Sequence, residues 1–161
     1  MHPQDETRWL NDEEQQAWLS LVGVAMRLIP ALDRQLRRDA DISHFEYHVL
    51  AALSAVSGHA LRLSVLASMT ESSLPRLSQV VDRLADKGWV RREPDPENRR
   101  FTLAVLTDHG YENLVEIAPG HVEEVRKLVF DPLTKAQTRQ LGSIAERIMH
   151  AIDPDHFQHH N

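Results

Sequence analysis

Arg76 and Gln79 stand one helical turn apart, and Arg99 and Arg100 follow on the far side of a short strand. Arginine and glutamine form paired hydrogen bonds to guanine and adenine edges, and neighbouring hydroxyls such as those of Ser72, Ser73 and Ser78 suit phosphates. These side chains need a helix to hold them in a row. Leu77, Val80, Val81 and Leu84 fall at i, i+3, i+4 and i+7, so one face is apolar and packs inward. The outward face then carries Ser72, Pro75, Arg76, Gln79, Asp82, Arg83 and Asp86, with Ser78 at its margin. The helix should open at Ser72 or Ser73, accept Pro75 in its first turn and stop at Gly88.

A charged outer face is also what any solvated helix shows, so the segment that follows decides between the two readings. Trp89 to Glu93 and Phe101 to Leu106 are short runs rich in aromatic and branched residues, separated by a loop of prolines, charges and Asn98. That pattern predicts a hairpin. Its loop holds Arg99 and Arg100, with Arg91 and Arg92 beside it, which is more cationic than a turn requires. Helix, glycine stop, strand, basic loop and strand is the order of a winged helix-turn-helix. There the helix enters the major groove and the loop reaches the backbone or minor groove.

The chain has 161 residues, enough for a core, and no cysteine, which excludes disulfides and thiolate metal sites. No apolar run approaches the ~20 residues that a membrane span needs, and the acidic N-terminus does not resemble a signal peptide. The expectation is a cytoplasmic protein, on the nucleoid when bound to DNA. Net charge is −6, which by itself argues against nucleic acid. The distribution matters more, since acids concentrate at residues 5–14 while arginines cluster at the hairpin.

Around this centre the chain reads as helices. Residues 1–10 are expected to be flexible. Asn11 or Asp12 caps a long helix to Arg38, with Trp18, Leu21, Val22, Ala25, Leu28, Ile29, Leu32 and Leu36 in register and Pro30 producing a kink near Met26. Ser43 with Glu46 forms a capping box for a helix to about Val56, and Ser64 caps a short helix from Val65 to Met69. Thr107 opens a helix bent at Pro119-Gly120 and ended by Asp131-Pro132. Thr134 with Gln137 caps a last helix through Leu141, Ile144, Ile148 and Ile152. Residues 154–161 form a polar tail.

The fold class is therefore mainly α with a small β-hairpin wing. A winged helix-turn-helix over residues 43–107 is flanked by long helices over 11–38 and 108–153. The small core cannot cover every apolar stripe, and the surplus is best covered by a second copy of the chain. Trp18, Leu21, Val125, Leu128, Leu141, Ile144, Ile148 and Ile152 are the expected interface of this homodimer. Its two recognition helices would meet successive major grooves on a near-palindromic site of double-stranded DNA.

Three stretches resemble the MarR family of bacterial transcriptional regulators: Val81-Asp-Arg-Leu-Ala-Asp-Lys-Gly-Trp-Val90, Arg91-Arg-Glu-Pro-Asp-Pro-Glu-Asn-Arg-Arg100, and Leu106-Thr-Asp-His-Gly110. They resemble the end of that family's recognition helix, its wing, and the Leu-Thr-x-x-Gly entry to its dimerisation helix. The resemblance covers roughly residues 12 to 152. It implies a dimeric DNA binder, often a repressor, often released by a small aromatic or anionic effector. The family's wing usually carries Asp-x-Arg, the acid holding the arginine that enters the minor groove. Here Asn98 stands in place of the acid, Arg100 occupies the matching arginine position, and either Arg99 or Arg100 can enter the groove.

Trp18, Met26, His44, Tyr47 and His48 are the expected lining of an effector pocket, since aromatic walls with polar tips and a histidine suit an amphipathic anion. Trp18 and Tyr47 filling the core is the plainer alternative. His44 and His48 also have the i, i+4 spacing of a metal-binding pair, and His156, His159 and His160 crowd the tail, but spacing fixes no third ligand. No metal or cofactor is therefore assigned. With no phosphate loop or nucleophile motif, an enzyme is not expected. The rival reading is a winged helix serving as a protein-interaction module, which would need no arginines at the wing tip.

Overall fold

A computed structural model describes residues 7–154, so the expected flexibility of the first residues and of the tail with His156, His159 and His160 lies largely outside the described residues. The order of elements is α1 Asp12–Ala40, α2 His44–Ser54, β1 Ala60–Arg62, α3 Leu63–Met69, α4 Leu74–Asp86, β2 Val90–Pro94, β3 Thr102–Leu106, α5 Asp108–Val125, and α6 Lys135–Ile152. A π-helical turn, Arg126–Phe130, follows α5 and closes with Asp131 N–H donating to the Arg126 carbonyl at 2.8 Å. The chain divides into two compact units, residues 1–118 and 119–161, with the boundary inside α5.

In the first unit the core is built from Leu36 of α1, Ile42, the α2 residues Val49, Leu50 and Leu53, Leu66 of α3, the α4 face Leu77, Val80, Val81 and Leu84, and Val90, Ala104 and Leu106 of the sheet. Capping boxes form at Asn11 with Glu14 and at Ser43 with Glu46. Each ties two otherwise unpaired amides to nearby side chains. α1 remains helical across Pro30.

The sheet has three strands in the order β1-β3-β2, all antiparallel, rather than the two of a simple hairpin. β2 pairs from Val90 opposite Leu106 to Pro94 opposite Thr102, and β1 pairs from Ala60 opposite Val105 to Arg62 opposite Leu103. This third strand also corrects the start of the short helix. Pairing holds the chain extended as far as Arg62, so α3 begins at Leu63, and Ser64, expected to cap it, lies inside the first turn.

The exit from the wing is a tight joint. The Thr107 hydroxyl donates to the Gly88 carbonyl at 2.7 Å and accepts from Gly110 N–H at 3.0 Å, and Thr107 N–H donates to the Trp89 carbonyl at 3.0 Å. A Cβ on Gly110 would lie 2.1 Å from that Trp89 carbonyl oxygen, so only glycine lets α5 approach so closely.

In the second unit, Thr134 and Gln137 form a capping box and α6 runs to Ile152. Leu141, Ile144, Ile148 and Ile152 on α6, and Leu128 before it, are all exposed, while Val125 is half-buried. No helix among the described residues is long and apolar enough to cross a membrane.

Candidate nucleic-acid interface

α4 has the two faces that its periodicity requires. Leu77, Val80, Val81 and Leu84 are buried, while Pro75, Arg76, Gln79, Asp82 and Arg83 are exposed and Ser72 and Ser78 are half-buried. Ser73, itself exposed, caps the helix by accepting from Arg76 N–H at 3.4 Å. Gly88, at φ 74°, ends it, with Trp89 N–H donating back to the Leu84 carbonyl at 3.0 Å. The exposed side chain of Gln79 makes no hydrogen bond among the described residues, so its carboxamide is free for an outside partner.

The arginines of this region differ in what holds them. Arg76 lies over the Phe45 ring, 4.3 Å from its centroid, and Arg83 donates through Nε to Glu46 at 3.0 Å. Arg92 turns back onto α4, reaching the Asp82 carboxylate at 2.9 Å and both the hydroxyl and the carbonyl of Ser78. Arg91 pairs with Glu93 two residues along the same strand. Arg99 and Arg100 at the loop tip are exposed and form no ion pair among the described residues. The cationic excess at the wing therefore lies at its tip.

The loop is shaped from within. Asp95 N–H donates to the Phe101 carbonyl at 3.0 Å, Phe101 N–H to the Asn98 carbonyl at 2.9 Å, and the Asn98 side-chain oxygen accepts from Arg100 N–H at 3.1 Å. Asn98 thus fixes the backbone beneath Arg100 through a neutral acceptor, a weaker bond than a carboxylate would make there. Asp95 is buried beneath the loop and accepts from Glu97 N–H at 2.9 Å and from Arg62 of β1. The Glu97 amide, followed by the Arg62 guanidinium, holds the Asp95 carboxyl below its ordinary range despite burial. Arg62 also lies over the Phe101 ring, 4.7 Å from its centroid. Sequence reasoning missed Arg62 and Asp95, because they are 33 positions apart and meet only through the third strand.

Solved structures share this fold. The chain is similar to Sco3205 of Streptomyces coelicolor, a MarR family transcriptional regulator solved in complex with DNA. Identity is 45%, over 93% of this chain and 94% of that one, with a TM-score of 0.87. The chain belongs to the MarR family. It is also similar to the MarR family regulator AbsC of the same organism, at 35% identity over 91% of this chain and 98% of that one, with a TM-score of 0.84. The MarR family model matches residues 40–100, which run from the end of α1 through the wing loop. A more distant relative is the transcriptional repressor MprA of Escherichia coli, 25% identical over 66% of this chain, and the match spans only 60% of MprA's length.

Other residues singled out by their types fall elsewhere on this MarR framework. Trp18 and Met26 are 54% and 69% exposed, so Trp18 does not fill the core of its own chain. Asp33 of α1 accepts from His44 N–H at 2.8 Å, and Trp18 lies roughly 22 Å along the helix from that contact at 1.5 Å per residue. The five residues expected to line a pocket therefore do not meet in one chain: His44, Tyr47 and His48 group on α2, and Trp18 stands apart. The His44 and His48 rings stack at 6.4 Å, and burial, followed by His48, pushes the His44 imidazole below its ordinary value. Among the described residues no cluster of three metal-ligating side chains forms.

Proposed function

We propose that this chain is a transcriptional regulator, acting as a repressor, that binds a near-palindromic DNA site as a homodimer through α4 and the wing. The observation that carries the reading is the exposed row Pro75, Arg76 and Gln79 on a helix whose opposite face is core. The tip arginines Arg99 and Arg100 add a second contact of the right charge. In this reading Ser72, Ser73, Ser78, Arg83, Arg91 and Asn98 position the protein on phosphates or shape the parts that do. The kinship with a DNA-bound relative at 45% identity supports it.

Homodimerisation is supported by the uncovered apolar residues of α1, among them Trp18, Leu21 and Val24, and by those of α6. A small aromatic or anionic effector belongs to the same reading, with His44 and Tyr47, both half-buried, as its nearest chemical match. Titrating benzoic and phenolic acids against DNA affinity tests that part.

Selecting duplexes from a random pool with the full chain tests the core of the proposal. A recovered palindromic consensus that relaxes in Gln79→Ala supports it, since each paired base contact discriminates by about 1–3 kcal/mol. Failure to enrich any duplex, at low salt included, would leave the protein-interaction module as the better reading.

A further inference from the structure

Two of the arginines on the outer face of α4 are held by neighbouring residues in the first turn of a different helix. Arg76 and Arg83 are seven positions apart, and so lie along one side of α4. The guanidinium of Arg76 stacks on Phe45 at 4.3 Å, and the Nε of Arg83 is bonded to Glu46 Oε1 at 3.0 Å. We propose that the first turn of α2 is a brace that orients these two arginines toward DNA, with Phe45 positioning Arg76 and Glu46 positioning Arg83. This rests on the reading of α4 as the DNA reader.

Glu46 suits the role because it has no freedom of its own. Its side chain is 8% exposed, its Oε2 accepts from Ser43 N–H at 2.7 Å, and its own amide donates to the Ser43 hydroxyl at 3.0 Å. The same turn is fixed to α1, where Asp33 accepts from His44 N–H at 2.8 Å. Arg83, by contrast, keeps 55% of its side chain exposed, and its two terminal nitrogens make no hydrogen bond among the described residues. A carboxylate on Nε leaves the terminal fork, the edge that matches a phosphate or a guanine, unpaired. Stacking on Phe45 does the same for Arg76, because a ring face engages the plane of the guanidinium and leaves its in-plane donors available. A long side chain already held in one geometry loses less entropy on binding.

A pair that merely joined α2 to α4 would stabilise the fold without affecting the binding of DNA. The two roles separate in a double-mutant cycle on DNA affinity, with the duplex selected by the wild-type full-length chain as probe. Glu46→Gln retains the capping box, because glutamine reaches back to the Ser43 amide as glutamate does, but removes the charge facing Arg83. We expect it to weaken binding about tenfold, a 1.4 kcal/mol effect. In an Arg83→Ala background the same change should have less than about a twofold effect, since its route to DNA is gone. A parallel cycle of Phe45→Leu with Arg76→Ala keeps the proposal testable should the first pair fold poorly. Equal losses in both backgrounds of each cycle, or no loss from Glu46→Gln and Phe45→Leu, would overturn it. If the wild-type chain itself selected no duplex, the DNA-binding reading would be at fault, and not the brace.

Discussion

Arg92 is bonded twice to Ser78, to its hydroxyl at 2.7 Å and to its carbonyl at 3.0 Å, so the strand that follows α4 is fastened to that helix's outer side. Arg92 and Arg99 thus differ in function although both count as wing cations. The first is a structural tie and the second is an exposed charge.

Arg99→Ala with Arg100→Ala is therefore expected to weaken DNA binding and to flatten its dependence on salt, by about one unit of slope per lost phosphate contact, at unchanged melting temperature. Arg92→Ala should lower the melting temperature. Equal salt slopes for the wild type and the double variant would remove the wing tip from the interface.

Replacing Leu141 and Ile148 by Asp is expected to abolish self-association, since both residues are exposed apolar positions on α6 and would become charged in a shared core. Sedimentation should show monomer or aggregate for the variant and dimer for the wild type. A well-folded wild-type monomer at micromolar concentration would contradict the homodimer.

Gly110→Ala is expected to destabilise the chain by at least the ~1–3 kcal/mol typical of overpacking, because the new methyl would collide with the Trp89 carbonyl oxygen, a backbone atom that cannot turn aside. Chemical denaturation measures it. Gly142→Ala, where a Cβ meets nothing within 4 Å, is the matched control and should be neutral or stabilising.

Asp95 predicts a pH dependence. Its carboxyl is held below the ordinary 3.8 in the folded chain, so the folded state binds a proton less readily than the unfolded one. The stability it contributes is present above about pH 3.8 and is lost as the pH falls through the lower folded value. Asp95→Asn should thus be less stable than the wild type by a constant margin at neutral pH. That margin should close only in strong acid. A margin independent of pH would mean that the charge of Asp95 contributes nothing.

What could be read from the sequence was what is decided locally. The capping boxes at Ser43 and Thr134, the stop at Gly88 and the apolar row of α4 each lie within a few residues, so their types and spacing determine them. β1 could not be read in that way. Three residues without alternation become a strand only because β3 passes beside them, and the Arg62–Asp95 pair depends on that passage. Arg83 was legible as an outward cation but its partner was not, since Glu46 is 37 positions away and already had a complete local role as a cap. Trp18 stands apart from the other pocket candidates of its own chain for a related reason. Aromatic type suggests a wall, but only the length of α1 shows how far it stands from His44.

The Trp89 joint has an optical consequence. The three tryptophans divide sharply, with Trp9 84% and Trp18 54% exposed and Trp89 8% exposed against the junction of α4, the wing and α5. An exposed indole emits at longer wavelength than one shielded from water, so the blue edge of the emission spectrum belongs to Trp89 and the red edge to the other two. Quenching by a soluble collider would act on Trp9 and Trp18 first. A variant with both of these replaced by phenylalanine would carry a single tryptophan at the base of the wing, and its emission under tryptophan-selective excitation would register motion of that joint with no label attached.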